Sequence, residues 1–243
     1  MRELPAPFVL RDTLIALDLP GGSVRFTTAA TGDLALAAPD PRDERPGAAA
    51  RALAARIGIP WERWAQDRQV HGTAVRVTAT EEALHPLTAD HDGQATSLPG
   101  VACVVRVADC LPIALVAPEA VAMLHGGWRP LAGGIVAAGV RALRDLGATD
   151  IVAAIGPAAG VCCFEAGEEV HDAFAHLGTA ERPVRVGDHA DLKAVAAAQL
   201  RAADVAVTHD VGVCTICSDP DDLFSHRRDR GRTGRQAGLT WRS

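Results

Sequence analysis

No apolar run in these 243 residues approaches the roughly 18 needed to cross a bilayer. The opening MRELPAPFVLRDT is too interrupted by charge and proline to serve as a signal-peptide core. A cytoplasmic location without membrane contact is therefore expected. Positive charge is not in excess: 24 Lys and Arg stand against 30 Asp and Glu, a net charge of -6, which leaves no general footprint for nucleic acid. The local exception is His226, Arg227, Arg228, Arg230, Arg232 and Arg235, broken by glycines and preceded by Asp219, Asp221 and Asp222. It reads as a solvated loop or an anion site. Repeats and separating linkers are also missing, so one domain over residues 1–243 is expected.

What is present fits a sizeable soluble core: 48% of the residues are hydrophobic and 22% charged. A chain of this length buries about three-quarters of its unfolded surface and needs no staple, so in a reducing compartment its six cysteines read as thiols or metal ligands. A strand is expected near residues 24–28, a loop over 38–46, a helix over 47–59 and a strand over 75–79. A polar loop is expected over 88–96. Pro130 suits the first turn of a helix continuing to Gly147. A short strand at 150–157, helices over 163–178 and 191–205, and a strand over 210–217 complete the pattern. Strands and helices alternate irregularly, which favours an α+β class with a mixed sheet or sandwich and outer helices over a doubly wound sheet.

The chemistry concentrates in residues 101–129, VACVVRVADCLPIALVAPEAVAMLHGGWR. Two apolar runs, IALV and VAMLH, flank APEA, a plausible four-residue hairpin loop around Pro118. That loop sets Val116 against Val121 and Pro112 against His125, and puts Cys110 on the same side of the sheet as His125. Diagonal neighbours on one face lie about 7 to 8 Å apart, within reach of a shared ion with bonds of about 2.0 to 2.3 Å. A three-residue loop would separate them onto opposite faces. His71, in QVHG, is the expected third ligand. One thiolate and two imidazoles suit Zn²⁺ or copper, and three protein ligands leave a position for water or substrate. Gly126 and Gly127 would leave space there, and Arg129 would hold an anionic group. The C-x-x-C pair Cys214 and Cys217 has no partner pair at zinc-ribbon spacing and Cys162 and Cys163 are adjacent, so packed or loop thiols are expected.

QVHG (69–72), RVADCLPIAL (106–115), LHGGWR (124–129), AIGPAAGVCCFEAGEEV (154–170), CTICSD (214–219) and FSHRRDRGRTGRQAGLTW (224–241) together resemble the YfiH and laccase-domain-containing family. That family carries the names polyphenol oxidase, purine nucleoside phosphorylase and peptidoglycan editing factor. The resemblance implies a mixed β-sandwich with outer helices and a zinc site on His71, Cys110 and His125. It implies phosphorolysis of adenosine, inosine and methylthioadenosine, with purine nucleoside and phosphate as substrates and adenosine deamination beside it. The alternatives are a copper-dependent phenol oxidase and a binder of peptidoglycan precursors. Laccase chemistry needs several coppers on many histidines, whereas these nine are scattered without an H-x-H pair. Asp109 is the candidate proton carrier or ligand-orienting group, Arg129 a further catalytic candidate, and His226 and Arg227 candidate phosphate or ribose contacts. Glu165 and Glu168 suit a helix start. The family's F-T-T-R phrase stands here as Phe26, Thr27, Thr28 and Ala29, without its arginine, and Pro130 replaces the glycine usual after GWR.

Overall fold

The computed structural model describes residues 3–35, 46–84, 89–177, 183–205 and 207–243. In chain order the elements are β1 (Val9–Arg11), β2 (Leu14–Leu19), β3 (Gly22–Thr27), α1 (Ala48–Ile57), β4 (Trp64–Ala65), β5 (Val75–Thr78), β6 (Gly93–Thr96), β7 (Ala102–Val107), β8 (Leu111–Val116) and β9 (Val121–Gly126). They continue as α2 (Trp128–Gly133), α3 (Ile135–Asp145), β10 (Val152–Ile155), α4 (Glu168–Phe174), β11 (Arg185–Val186), β12 (His189–Ala190), α5 (Leu192–Ala202), β13 (Val207–Asp210) and β14 (Gln236–Arg242). Two six-stranded sheets result, ordered β1-β2-β3-β14-β7-β4 and β13-β10-β8-β9-β6-β5. Each mixes parallel and antiparallel pairs: β4 runs parallel to β7, β5 to β6, and β10 to β13.

Side-chain alternation builds the layers. Ala114, Val116, Val121 and Met123 point from the second sheet into a core shared with Ile15, Val24, Phe26, Cys103 and Val105 of the first. Their neighbours Ile113, Leu115, Ala122 and Leu124 point the other way, onto Ile135, Val140 and Leu143 of α3 and Val195 of α5. Helix α1 covers the far side of the first sheet through Leu53, against Val104 and Leu239. The fold is thus an α+β sandwich of two mixed sheets between outer helices. Every residue of β8 and β9 is buried, and each Leu or Ile so placed contributes roughly 1.5 to 3 kcal/mol relative to exposure. Among the described residues no helix is long and apolar enough to cross a membrane.

The strand near 24–28, the helix stopped at Gly58, the strand at 75–78 and the helix after Asp191 form as expected. Most of the loop expected over 38–46 lies outside the described residues. Four expectations are corrected. Residues 93–96 form β6, fully buried although Gln94 and Thr96 are polar, because Thr96 Oγ1 donates to the Thr78 carbonyl at 2.6 Å and β5 and β9 complete the backbone bonding. The helix after Arg129 breaks at Gly134, whose φ of 93° is left-handed, while a side chain at Gly133 would strike Thr73 Cγ2 at 2.6 Å. The helix expected from residue 163 starts only at Glu168, because the backbone N–H groups of Cys163 and Phe164 turn back to the Gly160 carbonyl. The strand expected over 210–217 ends at Asp210, and Gly212, at φ 72°, turns the chain into a loop.

Candidate metal centre

The β8–β9 hairpin pairs Val116 with Val121 and Pro112 with His125, closed by a hydrogen bond from Ala117 N to Ala120 O at 3.0 Å. This is the register the four-residue loop predicts. Cys110 stands just before β8, two positions from Pro112, and so continues the face that looks into the sandwich. Where the apolar core ends, that face carries Cys110 and His125 to one end of the sandwich.

His71 arrives through Asp92, a residue that sequence reading leaves unnoticed inside a stretch resembling a polar loop. The Asp92 carboxylate is fully buried and accepts from the backbone N–H groups of Val70 at 3.0 Å, His71 at 3.0 Å and Gly72 at 2.7 Å. It also meets His125 Nδ1 at 2.6 Å, and His125 N donates to the Asp92 carbonyl at 2.7 Å. One carboxylate therefore gathers the QVHG turn and a hairpin histidine. His71 adopts φ 59°, a left-handed conformation that these amide bonds hold in place. A carboxylate only accepts, so His125 donates from Nδ1, which leaves Nε2 to meet Cys110 and, once its proton is lost, to serve as a metal donor.

The electrostatics follow. Burial pushes the Asp92 carboxyl up, but the His125 ring and the Gly72 and Val70 amides outweigh it and hold the pKa below the ordinary range. Burial likewise opposes the Cys110 thiolate, yet hydrogen bonds from His125 and His71 bring the thiol down to about 6. For His125, burial lowers the pKa while Asp92 and Cys110 raise it to about 9. A buried carboxylate, an imidazole and a thiolate stand in line.

The ligand atoms of His71, Cys110 and His125 lie within 4.8 Å of one another, with Cys110 Sγ and His71 Nε2 3.9 Å apart. The two imidazole rings meet edge-on, 4.8 Å between centroids. Donors of one tetrahedral zinc stand roughly 3.3 to 3.8 Å apart, so the set closes on a single ion after shifts of up to about an ångström. Gly127 makes room: a Cβ there would lie 3.0 Å from His71 Cδ2 and 3.3 Å from Cys110 Sγ. Gly126 serves otherwise, since its missing Cβ would meet Ile113 and Leu111 on the helix side of the sheet. The expectation that both glycines clear the ligand space is corrected to Gly127 alone.

All three residues line a cavity of about 430 Å³, together with Arg68, Gln69, Arg106, His226 and Arg235. Arg106 is lowered to about 10 by burial; its Nε donates to Leu34 O at 2.7 Å, and another guanidinium nitrogen donates to Gln66 Oε1. The basic C-terminal stretch thus divides. His226 and Arg235 face the cavity, while Arg228 staples its own loop through Asp229, Leu223 O, Thr215 O and Ser218 O.

The other candidates lie farther out. Both Asp109 oxygens are engaged, by Thr215 Oγ1 at 2.6 Å and by Arg227 N at 2.7 Å. Its backbone, at φ 88°, is fixed in the turn that presents Cys110. Arg227 supports that turn through its amide, while its guanidinium packs over Phe164 and donates to Glu165 O, outside the cavity lining. Arg129 is exposed, lies 4.3 Å over the Trp128 ring and is not among the residues lining the cavity. Glu168 opens α4 and pairs with exposed Arg185, whereas Glu165 precedes the helix and bridges to His189.

The family described as multi-copper polyphenol oxidoreductase laccase matches residues 26–243. The chain belongs to that family. Within its relatives, a purine nucleoside phosphorylase, YlmD, of Geobacillus stearothermophilus is 36% identical over 211 residues, 79% of this chain and 77% of that protein. An adenosine deaminase, RL5, of an unknown prokaryotic organism is 35% identical over 204 residues, 74% of this chain and 77% of its own. The crystal structure of Geobacillus YlmD superposes with a TM-score of 0.85 at 31% identity, covering 98% of this chain and 99% of that one. The family's fold therefore extends over the whole sandwich, and the relatives' names give the activities against which the cavity is judged.

Proposed function

We propose that this chain is a zinc-dependent purine nucleoside phosphorylase, one catalytic domain over its whole length, acting on adenosine, inosine or methylthioadenosine with adenosine deamination as a companion reaction. The observation carrying the proposal is the three-donor set of His71, Cys110 and His125, opening onto a cavity whose wall holds Arg68, Arg106, Arg235 and His226. Zinc held there supplies a Lewis acid or an activated water. Asp92 fixes the His125 tautomer and, through three amides, the position of His71.

Phosphorolysis needs phosphate held against the ribose carbon while the purine departs. The guanidinium groups of Arg106 and Arg235 supply cations for the phosphate oxygens and His226 a ring nitrogen, while Arg68 is paired with Asp90, and their fixed placement replaces much of the entropy lost on bringing two substrates together. Asp109 acts as a positioning residue, since Thr215 and Arg227 occupy both its oxygens. Arg227 contributes to substrate binding indirectly, through the turn it stabilises. The family's missing arginine falls at Ala29, in a short helical turn whose N–H donates to Asp222 O at 2.8 Å. The arginines lining the cavity offer phosphate contacts without it.

The test is product analysis of zinc-loaded protein given adenosine and phosphate. Adenine with ribose 1-phosphate is expected, and phosphate-independent inosine marks the deaminase branch. Absence of both products from zinc-loaded protein would overturn the proposal. The copper oxidase reading draws support from the family's description and from donors that copper also accepts. It predicts oxygen consumption in proportion to bound copper.

A further inference from the structure

Four cysteines that look unrelated in sequence converge at a second place. Cys162 and Cys163 lie in the turn after β10, and Cys214 and Cys217 in the loop after β13. The parallel pairing of β10 with β13 sets the two loops side by side. Beyond the strands the loops stay bonded, from Ala158 N to Val213 O at 3.3 Å and from Thr215 N to Ala158 O at 3.0 Å. All four Sγ atoms lie within 4.8 Å of one another, and every one is a free thiol.

We propose that Cys162, Cys163, Cys214 and Cys217 form a second metal site, closed and all-thiolate, that takes one tetrahedral Zn²⁺ and ties the two loops together. With bonds of about 2.3 Å, two thiolates of such an ion stand roughly 3.8 Å apart. Cys162 Sγ and Cys217 Sγ are 3.8 Å apart. A multi-iron cluster would set some of its cysteines wider, because they bind different irons, so four sulfurs all within 4.8 Å of one another select a single ion. Soft sulfur donors alone select zinc over oxygen-seeking cations. Binding replaces up to four thiol protons with one dication, leaving net negative charge that the surroundings answer. Gly160 N donates to Cys214 Sγ at 3.2 Å, and the loop itself is held by Arg228, paired with Asp229, through Thr215 O at 3.0 Å and Ser218 O at 3.1 Å. Gly160 packs closely against the set: a Cβ there would lie 3.0 Å from Cys214 Cβ and 3.3 Å from Cys162 Sγ.

The second site acts on the first through one residue. Thr215 lies between Cys214 and Cys217, and its hydroxyl holds Asp109, the residue before Cys110. Zinc in the thiolate site fixes the Thr215 loop, which fixes the turn presenting Cys110.

Metal analysis of the intact protein tests this, with Cys162→Ser/Cys217→Ser and Cys110→Ala compared by circular dichroism for folding. About two zinc ions per chain are expected in the wild type and about one in each variant. If the His71–Cys110–His125 reading fails while this one holds, the wild type carries about one and the serine variant none. Cobalt substitution in the Cys110→Ala background is expected to give intense sulfur-to-cobalt charge-transfer bands, lost when the serines are added. Should the serine variant not fold, iodoacetamide labelling of the wild type decides: exposed Cys162 and Cys217 are expected to resist until a chelator is added. Unchanged zinc content in the serine variant, free labelling without chelator, or disulfides among these four residues in the protein as isolated under reducing expression would each overturn the site.

Discussion

The two cysteine-bearing clusters of this fold differ in donor set, in donor number and in what lies beneath them. His71, Cys110 and His125 sit where the sandwich interior opens, with one ligand buried, one half-buried and one exposed, and with an orienting carboxylate beneath them. Their three donors leave a position facing the cavity. The four cysteines lie on loops, two of them exposed, and their four donors would complete a tetrahedron with nothing left over. The difference teaches that the β-hairpin supplies precision where chemistry is proposed, whereas the loop pair supplies closure. Asp109 joins them, held by Thr215 from one cluster and followed by Cys110 of the other.

The largest expected effect breaks one side of the comparison. Cys110→Ala removes the thiolate from the open set and is expected to lower phosphorolysis at least about 10³-fold, because a Lewis acid contributes several kcal/mol to the transition state. Steady-state rates on protein of known metal content check it, and wild-type turnover by this variant would falsify the reactive role. Asp92→Asn ranks next. The amide keeps an acceptor but loses the charge that meets His125 and three backbone N–H groups, so zinc affinity is expected to fall about 10- to 100-fold. Competition with a chromophoric chelator reads this directly. The same substitution is expected to leave the four-cysteine zinc in place, which sharpens the contrast.

Thr215→Val probes the link between the clusters. It removes one hydrogen bond to Asp109 and leaves that carboxylate oxygen in part-buried surroundings, at a cost of about 1 to 3 kcal/mol. The expected result is a loss of roughly 5- to 100-fold in kcat/KM, with zinc stoichiometry unchanged. An unaltered kcat/KM would separate the two sites functionally.

The sequence exposes these regions unequally. Cys110 and His125 are legible because two apolar runs and an even loop fix a register, and register fixes faces. The sandwich of mixed sheets is legible from irregular alternation of elements together with the family motifs. His71 is named as the third ligand from QVHG and the family resemblance, but its approach is not legible, because nothing local says that its turn folds onto Asp92, 21 residues away. Asp92 is hidden because DHDG resembles a solvated loop, and β6 because its buried polar residues find partners on neighbouring strands. The break at Gly134 is hidden because apolar spacing continues on both sides of it. The four cysteines are hidden for a topological reason: each pair has meaningless spacing until the parallel β10–β13 pairing juxtaposes loops more than 50 residues apart. Arg129 stands in a suggestive motif, yet its place in the first turn of α2 turns it onto Trp128.

The smallest expected effect is a matched pair of methyl groups. Gly127→Ala and Gly160→Ala each place a Cβ against a ligand set, at 3.0 Å from His71 Cδ2 and at 3.0 Å from Cys214 Cβ respectively. Neither glycine has a positive φ, so steric contact rather than backbone strain decides both outcomes. Gly127 is the buried N-cap of α2, and its neighbours are tied to Asp92 and to the hairpin, so little can yield. Overpacking there is expected to cost about 1 kcal/mol and to weaken zinc binding at the open site roughly fivefold. Around Gly160 the contacts belong to loops whose outer cysteines are exposed, and a shift of a few tenths of an ångström meets less resistance. Gly160→Ala is therefore expected to change zinc affinity at the thiolate site less than about threefold, within the range of a relaxed contact. Chelator competition on the two variants, each in a background lacking the other site, measures the pair. A larger loss at Gly160 than at Gly127 would reverse the assignment of rigidity, making the loop cluster the more tightly organised of the two.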